Sequence, residues 1–99
     1  MASKEAILRK RPPRRLEDLY SVGRKTLEDF RALGIHNLEQ LSCQDASELY
    51  EKLCQIAGKR VDPCCRDVFR CAIEQARDPD LPMEKRAWWY WTRERKAKG

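Results

Sequence analysis

Apolar residues recur every three or four positions through the middle of the chain, which is the spacing of helices that bury one face. The first two such stripes lie on either side of a short polar turn. They are Leu16, Leu19 and Tyr20 before the turn, and Leu27, Phe30 and Leu33 after it. The pattern therefore predicts a short helix, a tight turn at Ser21-Val22-Gly23, and a second helix that begins with Arg24 and Lys25.

Capping residues mark the next helices. Residues 37–40 and 45–48 each pair an Asn or Asp with a Gln or Glu three positions later, which is the arrangement of a capping box. The first predicts a short helical turn, and the second predicts a helix from about residue 46 to residue 57 that ends at Gly58. The inner face of this helix is expected to hold Leu49, Leu53, Ile56 and Ala57.

One more helix follows Asp62-Pro63, because Asp is a favourable capping residue and Pro suits the first helical position. An apolar face runs along residues 63–77, and Asp78-Pro79 ends the helix. No stretch alternates apolar and polar residues for long enough to predict a strand. The chain is thus predicted to fold as a small all-α domain of four to five short helices.

These elements predict a domain at residues 16–91. A basic arm, residues 1–15, precedes it, and we expect this arm to be flexible because Pro12 and Pro13 exclude a helix. A short basic tail, residues 92–99, follows the domain. The residues expected to be buried in the core are Leu19, Leu27, Phe30, Leu33, Leu41, Leu49, Leu53, Val68, Phe69 and Ala72.

Charge separates the two ends from the middle of the chain. The 99 residues carry a net charge of +5, with 21 Lys and Arg against 16 Asp and Glu. Residues 1–15 hold six basic residues against one acidic residue, and residues 85–99 have the same balance, so the intervening segment is acidic. Basic ends on an acidic body favour a polyanionic partner.

The segment WWYW at residues 88–91 holds four of the eight aromatic residues of the chain. In a helix, Trp88 and Trp91 share one face, and Trp89 is rotated by about 100° from Trp88. We expect Trp88 and Trp91 to pack on the domain, over residues 68–72. Trp89 is then the exposed ring, available to a base or a protein partner.

The sequence argues against several classes of protein. No apolar run approaches the ~20 residues of a transmembrane helix, and no signal peptide is recognisable, so we expect a cytoplasmic protein without a membrane role. The five cysteines are odd in number, which favours reduced thiols, and their spacing gives little support for a zinc site. No phosphate-binding loop and no catalytic cluster is present, so neither a cofactor nor a metal nor an enzymatic activity is expected.

The turn between the first two helices carries the clearest candidate chemistry. A helix that begins after Gly23 presents backbone N–H groups without intrahelical partners, and Arg24 and Lys25 add two positive charges. Such an arrangement binds phosphate-sized anions. Glycine at position 23 suits either a positive φ or the close approach of a partner to the backbone.

Residues 16–35 resemble a helix-hairpin-helix motif, in which a Gly-hydrophobic-Gly turn precedes a helix. Three further segments sharpen the match, namely GIHNLEQLSCQDASELYEKLC, VDPCCRDVFRCAIEQA and WWYW. Together they resemble a small bacterial family of helix-hairpin-helix proteins known as pathogenicity-locus or mitomycin-resistance-type, over about residues 14–92. The resemblance implies an all-α helix-hairpin-helix (SAM-like) domain that is presumed to bind DNA.

In DNA-binding motifs of this kind, backbone N–H groups of the hairpin hold phosphate oxygens without reading the bases. The resemblance assigns this role to the backbones of Val22, Gly23 and Lys25, with charge from Arg24 and Lys25. Ser21 stands where such motifs usually have the first glycine, and its hydroxyl could donate to a phosphate. We call residues 21–25 the hairpin. Auxiliary contacts to nucleic acid are expected from Arg14, Arg15, Trp89 and Arg93.

The function that these features favour is sequence-independent binding of DNA, duplex or branched, through the hairpin and the basic ends. The alternative is a protein-interaction adaptor, in which the helical body docks a protein partner and the chain has no nucleic-acid role. Glu28 and Asp29, one turn beyond the hairpin, would repel a phosphate chain and favour this alternative. An adaptor is expected to expose an apolar patch.

Overall fold

The computed structural model describes residues 15–98, and it describes side chains for residues 15–97. The helices, in chain order, are α1 (Arg24–Ala32), α2 (Leu38–Ser42), α3 (Ala46–Ala57), α4 (Cys64–Arg77) and α5 (Trp88–Lys98), with 3-10 turns at Leu16–Asp18 and Met83–Arg86. No strand occurs between residues 15 and 98, so the predicted all-α fold is confirmed. None of these helices is both long and apolar enough to cross a membrane. The arm predicted at residues 1–15 lies, except for its last residue, outside the described residues.

Capping explains why α3 has the bounds that the sequence predicts. Asp45 Oδ1 accepts the N–H of Glu48 at 3.0 Å and so satisfies one of the free donors of the first turn. At the other end, Gly58 has a φ of +71°, which is accessible to glycine at little cost. The N–H of Lys59 then turns back to the carbonyl of Cys54 at 3.2 Å. Both predicted ends of this helix are confirmed.

The core lies where α4 packs against the other helices. The rings of Phe30 in α1 and Phe69 in α4 are 5.5 Å apart between centroids. Seven of the ten residues predicted for the core are buried, whereas Leu27, Leu33 and Val68 are half buried. The buried apolar cluster consists of Leu16, Leu19, Phe30, Ile35, Leu41, Leu49, Tyr50, Leu53, Phe69, Ala72 and Ile73.

The inner face of α3 differs from the predicted one. Ile56, which the periodicity places inside, is 59% exposed, and Ala57, predicted on the same face, is exposed as well. Tyr50 is buried instead, and its hydroxyl donates to the carbonyl of Val61 in the segment that leads into α4. The buried face of α3 therefore includes Tyr50. Its phenol can be buried because the carbonyl of Val61 accepts the hydrogen bond of its hydroxyl.

The first predicted helix is shorter than its apolar stripe suggests. Leu16–Asp18 forms one 3-10 turn, closed by the N–H of Leu19 bonding the carbonyl of Leu16 at 3.2 Å. The chain becomes extended at Leu19, so the next side chain no longer follows the helical spacing. Tyr20, predicted to share the face of the two leucines, is instead exposed.

The last helix extends past Trp91, where the sequence predicts the end of the domain and the start of a basic tail. Asp67 in α4 is 2% exposed, and it accepts a hydrogen bond from the hydroxyl of Thr92 at 2.7 Å. The guanidinium of Arg95 donates two more, at 2.8 and 3.0 Å. These bonds hold α5 against α4, so the predicted boundary falls inside a packed helix.

Candidate nucleic-acid interface

The hairpin lies at the surface and leads directly into α1. Gly23, Arg24 and Lys25 are all exposed, and no side chain caps the first turn of α1. A Cβ built on Gly23 would meet no atom within 4 Å. The start of this nine-residue helix therefore has N–H donors without a capping side chain, next to a backbone that a ligand can approach.

The positive φ in this turn belongs to Ser21. Its φ is 66°, and no other non-glycine residue between positions 15 and 98 has a positive value. Gly23 has a φ of −103°, which any residue adopts. The suggestion that glycine is needed at position 23 for a positive φ is therefore wrong. The other suggestion, that glycine lets a partner approach the backbone closely, agrees with the open space around Gly23. The left-handed conformation at Ser21 also explains why glycine is usual at this position of the motif.

The hydroxyl of Ser21 is used within the protein. It donates to the carbonyl of Arg86 at 2.8 Å and accepts the N–H of Trp88 at 3.1 Å. Trp88 is the first residue of α5, so Ser21 caps that helix from a distant part of the chain. The hydroxyl hydrogen thus points to a carbonyl of the protein, unlike the outward phosphate donor that the sequence suggests.

The two cations of the hairpin have different surroundings. Lys25 Nζ lies 3.0 Å from Asp29 Oδ1, and this hydrogen bond, together with the charge of Asp29, raises the pKa of Lys25. Asp29 is buried, and the ammonium group of Lys25 balances its negative charge. Arg24 is exposed and forms no ion pair within residues 15–97. Its guanidinium is the cation available to an outside anion.

The aromatic cluster of α5 is divided as the helical spacing predicts. Trp91 is half buried, its indole N–H donates to the carbonyl of Lys85 at 2.8 Å, and the guanidinium of Arg70 lies 4.8 Å from its ring centroid. Trp88 is half buried and lines a small cavity of about 160 Å³ together with residues of the hairpin helix and of α4. Trp89 is 52% exposed. Trp89 is thus the exposed ring and Trp88 and Trp91 are the more buried ones, as expected, although both lie outside the buried apolar cluster.

Two exposed aromatic rings stand beside the hairpin, each with a guanidinium over its face. Arg93 lies 5.4 Å from the centroid of the Trp89 ring. Arg86 lies 5.5 Å from the centroid of Tyr20, which is 44% exposed. The sequence indicates Trp89 and Arg93 but not Tyr20 and Arg86, because the Tyr20 pair is made by residues far apart in the chain and no local signal marks it.

The two remaining auxiliary candidates are Arg14 and Arg15. Arg14 lies outside the described residues. Arg15 is exposed and lines a surface cavity with Arg31 and His36, near the C-terminal end of α1. The hairpin lies at the opposite end of α1, and a nine-residue helix is roughly 13 Å long. Arg15 and the hairpin therefore mark two ends of α1.

The five cysteines are unpaired thiols. Cys71 is fully buried, and burial raises the pKa of its thiol to about 11. Cys43 is exposed, and the other three are half buried. No three His, Cys, Asp or Glu side chains in the described part of the chain are grouped in a way that could hold a metal ion.

A protein-family model described as Cdd1, pathogenicity locus, matches residues 9–97, which is nearly the whole chain. No curated protein and no solved structure matches.

Proposed function

Since the chain belongs to the Cdd1 pathogenicity-locus family, as the resemblance in its sequence indicates, we propose that it binds DNA without sequence preference. The hairpin holds the phosphate backbone, and Arg93 of α5 adds a second contact. In this proposal the protein is a cytoplasmic binding module and not an enzyme. Neither a cofactor nor a metal takes part.

The observation that carries the proposal is the uncapped start of α1 beside Arg24, which is exposed and has no ion-pair partner within residues 15–97. Backbone N–H groups at a helix N-terminus and the helix dipole both favour negative charge. Gly23 leaves the backbone open to a bulky sugar-phosphate chain. Contacts of this type fix phosphates and read no bases, so they give affinity without sequence preference.

The surroundings of the hairpin also bear on this proposal. Of the two carboxylates that the sequence suggests would repel phosphate, Asp29 is bonded to Lys25 and buried, whereas Glu28 remains exposed. Ser21 joins the hairpin to the start of α5, and that helix carries the basic C-terminal end of the chain. Arg95 of α5 is paired with Asp67, whereas Arg93 is exposed and free of any carboxylate partner within residues 15–97, so Arg93 is the cation of this helix that adds to the charge of the hairpin.

Fluorescence anisotropy on two labelled duplexes of unrelated sequence tests the proposal. Neutralisation of about four phosphates gives a slope near −3.6 when log K is plotted against log salt concentration. Arg24→Glu is expected to weaken binding to both duplexes equally and to make the slope shallower. The matched control is Arg31→Glu, an equal charge change at the exposed far end of the same helix.

Two results would count against the hairpin. Equal weakening by Arg24→Glu and Arg31→Glu would mean that only net charge matters. Binding that is unaffected by salt would mean that phosphates are not the ligand. If the intact protein has no affinity for DNA even at low salt, the protein-interaction adaptor becomes the favoured function.

A further inference from the structure

We infer that the preferred DNA carries unpaired bases beside a duplex, and that Tyr20 and Trp89 stack on those bases while the hairpin holds the neighbouring phosphates. This inference rests on the proposed function and adds to it the class of DNA. It comes from the two exposed aromatic rings described above, each of which lies under a guanidinium.

Both rings belong to residues that flank one hydrogen bond. Ser21 Oγ accepts the N–H of Trp88 at 3.1 Å, Tyr20 directly precedes Ser21, and Trp89 directly follows Trp88. Neighbouring Cα atoms are about 3.8 Å apart, so the backbones of Tyr20 and Trp89 both start beside the hairpin. A nucleic acid bound to the hairpin therefore meets an aromatic residue from each of the two segments.

The backbone that carries Tyr20 is fixed. Its N–H donates to Gln75 Oε1 and its carbonyl accepts from Gln75 Nε2, both at 2.9 Å, and Gln75 is buried in α4. The guanidinium of Arg86 over the Tyr20 ring is held in turn by the carbonyl of Leu81 at 2.7 Å. The exposure of this ring is thus built into the fold, and little conformational freedom is lost when a ligand binds.

Trp89 is fixed as well, because it lies in a helix whose neighbouring tryptophans pack on the domain. The indole of Trp91 is bonded to Lys85, and the N–H of Trp88 is bonded to Ser21. Arg93 is exposed and lies over one face of the Trp89 ring. A base can stack on an aromatic ring in this setting while the guanidinium contacts the adjacent phosphate.

Unpaired bases suit these rings better than a duplex or a protein does. Within a duplex the faces of the bases are stacked on one another, so an exposed aromatic ring has nothing to stack on. A protein partner favours a contiguous apolar patch, whereas each ring here is paired with a positive charge. Aromatic faces among cations are the features of single-strand binding surfaces.

The experiment compares three labelled DNAs that share one sequence and one length. The first is a continuous duplex, the second has a short single-stranded gap, and the third has the same gap with its bases removed. The third DNA keeps the flexibility and phosphates of the gap but lacks any base to stack. We expect the protein to bind the gapped DNA about tenfold more tightly than the abasic one, since one base–aromatic stack contributes roughly 5- to 150-fold.

Variants connect this preference to the rings. Trp89→Ala and Tyr20→Ala are each expected to reduce the preference for the gap with bases over the gap without them. Ile56→Ala is the matched control, because it removes an equally exposed apolar side chain from α3 and is expected to keep the preference. Thermal denaturation of each variant checks that the fold is intact.

The outcomes separate this inference from the proposed function. Equal affinity for the two gapped DNAs, with duplex binding that still depends on Arg24, overturns the stacking and leaves the hairpin contact in place. An unchanged preference in both ring variants also overturns it. If none of the three DNAs is bound, the proposed function fails together with the inference.

Discussion

Asp67 of α4 holds the guanidinium of Arg95 of α5 through two hydrogen bonds, Nε to Oδ1 at 2.8 Å and Nη2 to Oδ2 at 3.0 Å. The carboxylate is almost fully buried, and the hydrogen bond to it raises the pKa of Arg95. A buried carboxylate that loses its cation is strongly destabilising. The C-terminal basic segment is therefore part of the domain's stability and not only a source of positive charge.

Arg95→Gln should destabilise the protein because it leaves the buried charge of Asp67 without its cation. We expect a loss of roughly 3 kcal/mol in the free energy of unfolding, measured by urea denaturation. Arg93→Gln is the control on the same helix, since Arg93 is exposed and has no carboxylate partner within residues 15–97, and it should change stability by less than about 0.5 kcal/mol. Equal losses in the two variants would show that the ion pair does not anchor α5.

Replacement of a half-buried tryptophan of α5 should destabilise the protein more than replacement of the exposed one. Trp91→Ala removes a half-buried ring, its bond to Lys85 and its contact with Arg70, and should cost about 3 kcal/mol. Trp89→Ala removes an exposed ring and should cost less than about 0.5 kcal/mol. Urea denaturation followed by far-UV circular dichroism measures both. Small and similar losses would mean that α5 does not pack on the domain.

Replacement of Ser21 separates strain from hydrogen bonding. Ser21→Ala loses both bonds of the hydroxyl and keeps the positive φ, so it should cost about 1–2 kcal/mol. Ser21→Gly loses the same bonds but removes a left-handed strain of roughly 1 kcal/mol, so it should be the less costly change. Comparison of their unfolding free energies tests this order. A glycine variant as unstable as the alanine variant would show that the turn is not strained.

The buried thiol of Cys71 should make stability fall at alkaline pH. Its pKa is raised from 9.0 to about 11, so above pH 9 the unfolded chain releases a proton that the folded chain keeps. Stability from this group is complete below pH 9 and declines as pH rises toward 11, by roughly 1.4 kcal/mol for each unit of pKa difference. Unfolding free energies across this range should decline less steeply in Cys71→Ala than in wild type.

Local signals in the sequence were sufficient to predict α1 to α4, but not the single 3-10 turn at Leu16–Asp18 or the end of α5. The Asp45 cap and Gly58 set α3, because capping acts through hydrogen bonds between residues a few positions apart. The division of the aromatic cluster also followed from local geometry, since Trp88 and Trp91 share a face in any helix. Ile56 was wrongly predicted to be buried. Tyr50 is buried instead, and the hydrogen bond of its hydroxyl to another segment is not visible in the local apolar spacing.

The candidate interface was only partly predictable. Arg24 and Gly23 were found because a glycine followed by cations at a helix start is a local pattern. The position of the positive φ, the cap that Ser21 provides for α5 and the exposure of Tyr20 all depend on contacts with α4 or α5. Such contacts join residues more than fifty positions apart, and neither spacing nor composition encodes them.

The bond between Ser21 and Trp88 also makes the amide hydrogen of Trp88 a reporter of events at the hairpin. This N–H can exchange with solvent deuterium only when the start of α5 separates from the turn. Anything that binds the closed arrangement in preference to the open one lowers the exchange rate, and the coupling is reciprocal. By this reciprocity, the factor by which a ligand suppresses opening equals the factor by which it binds the closed arrangement more tightly than the open one, even where that ligand never touches the helix.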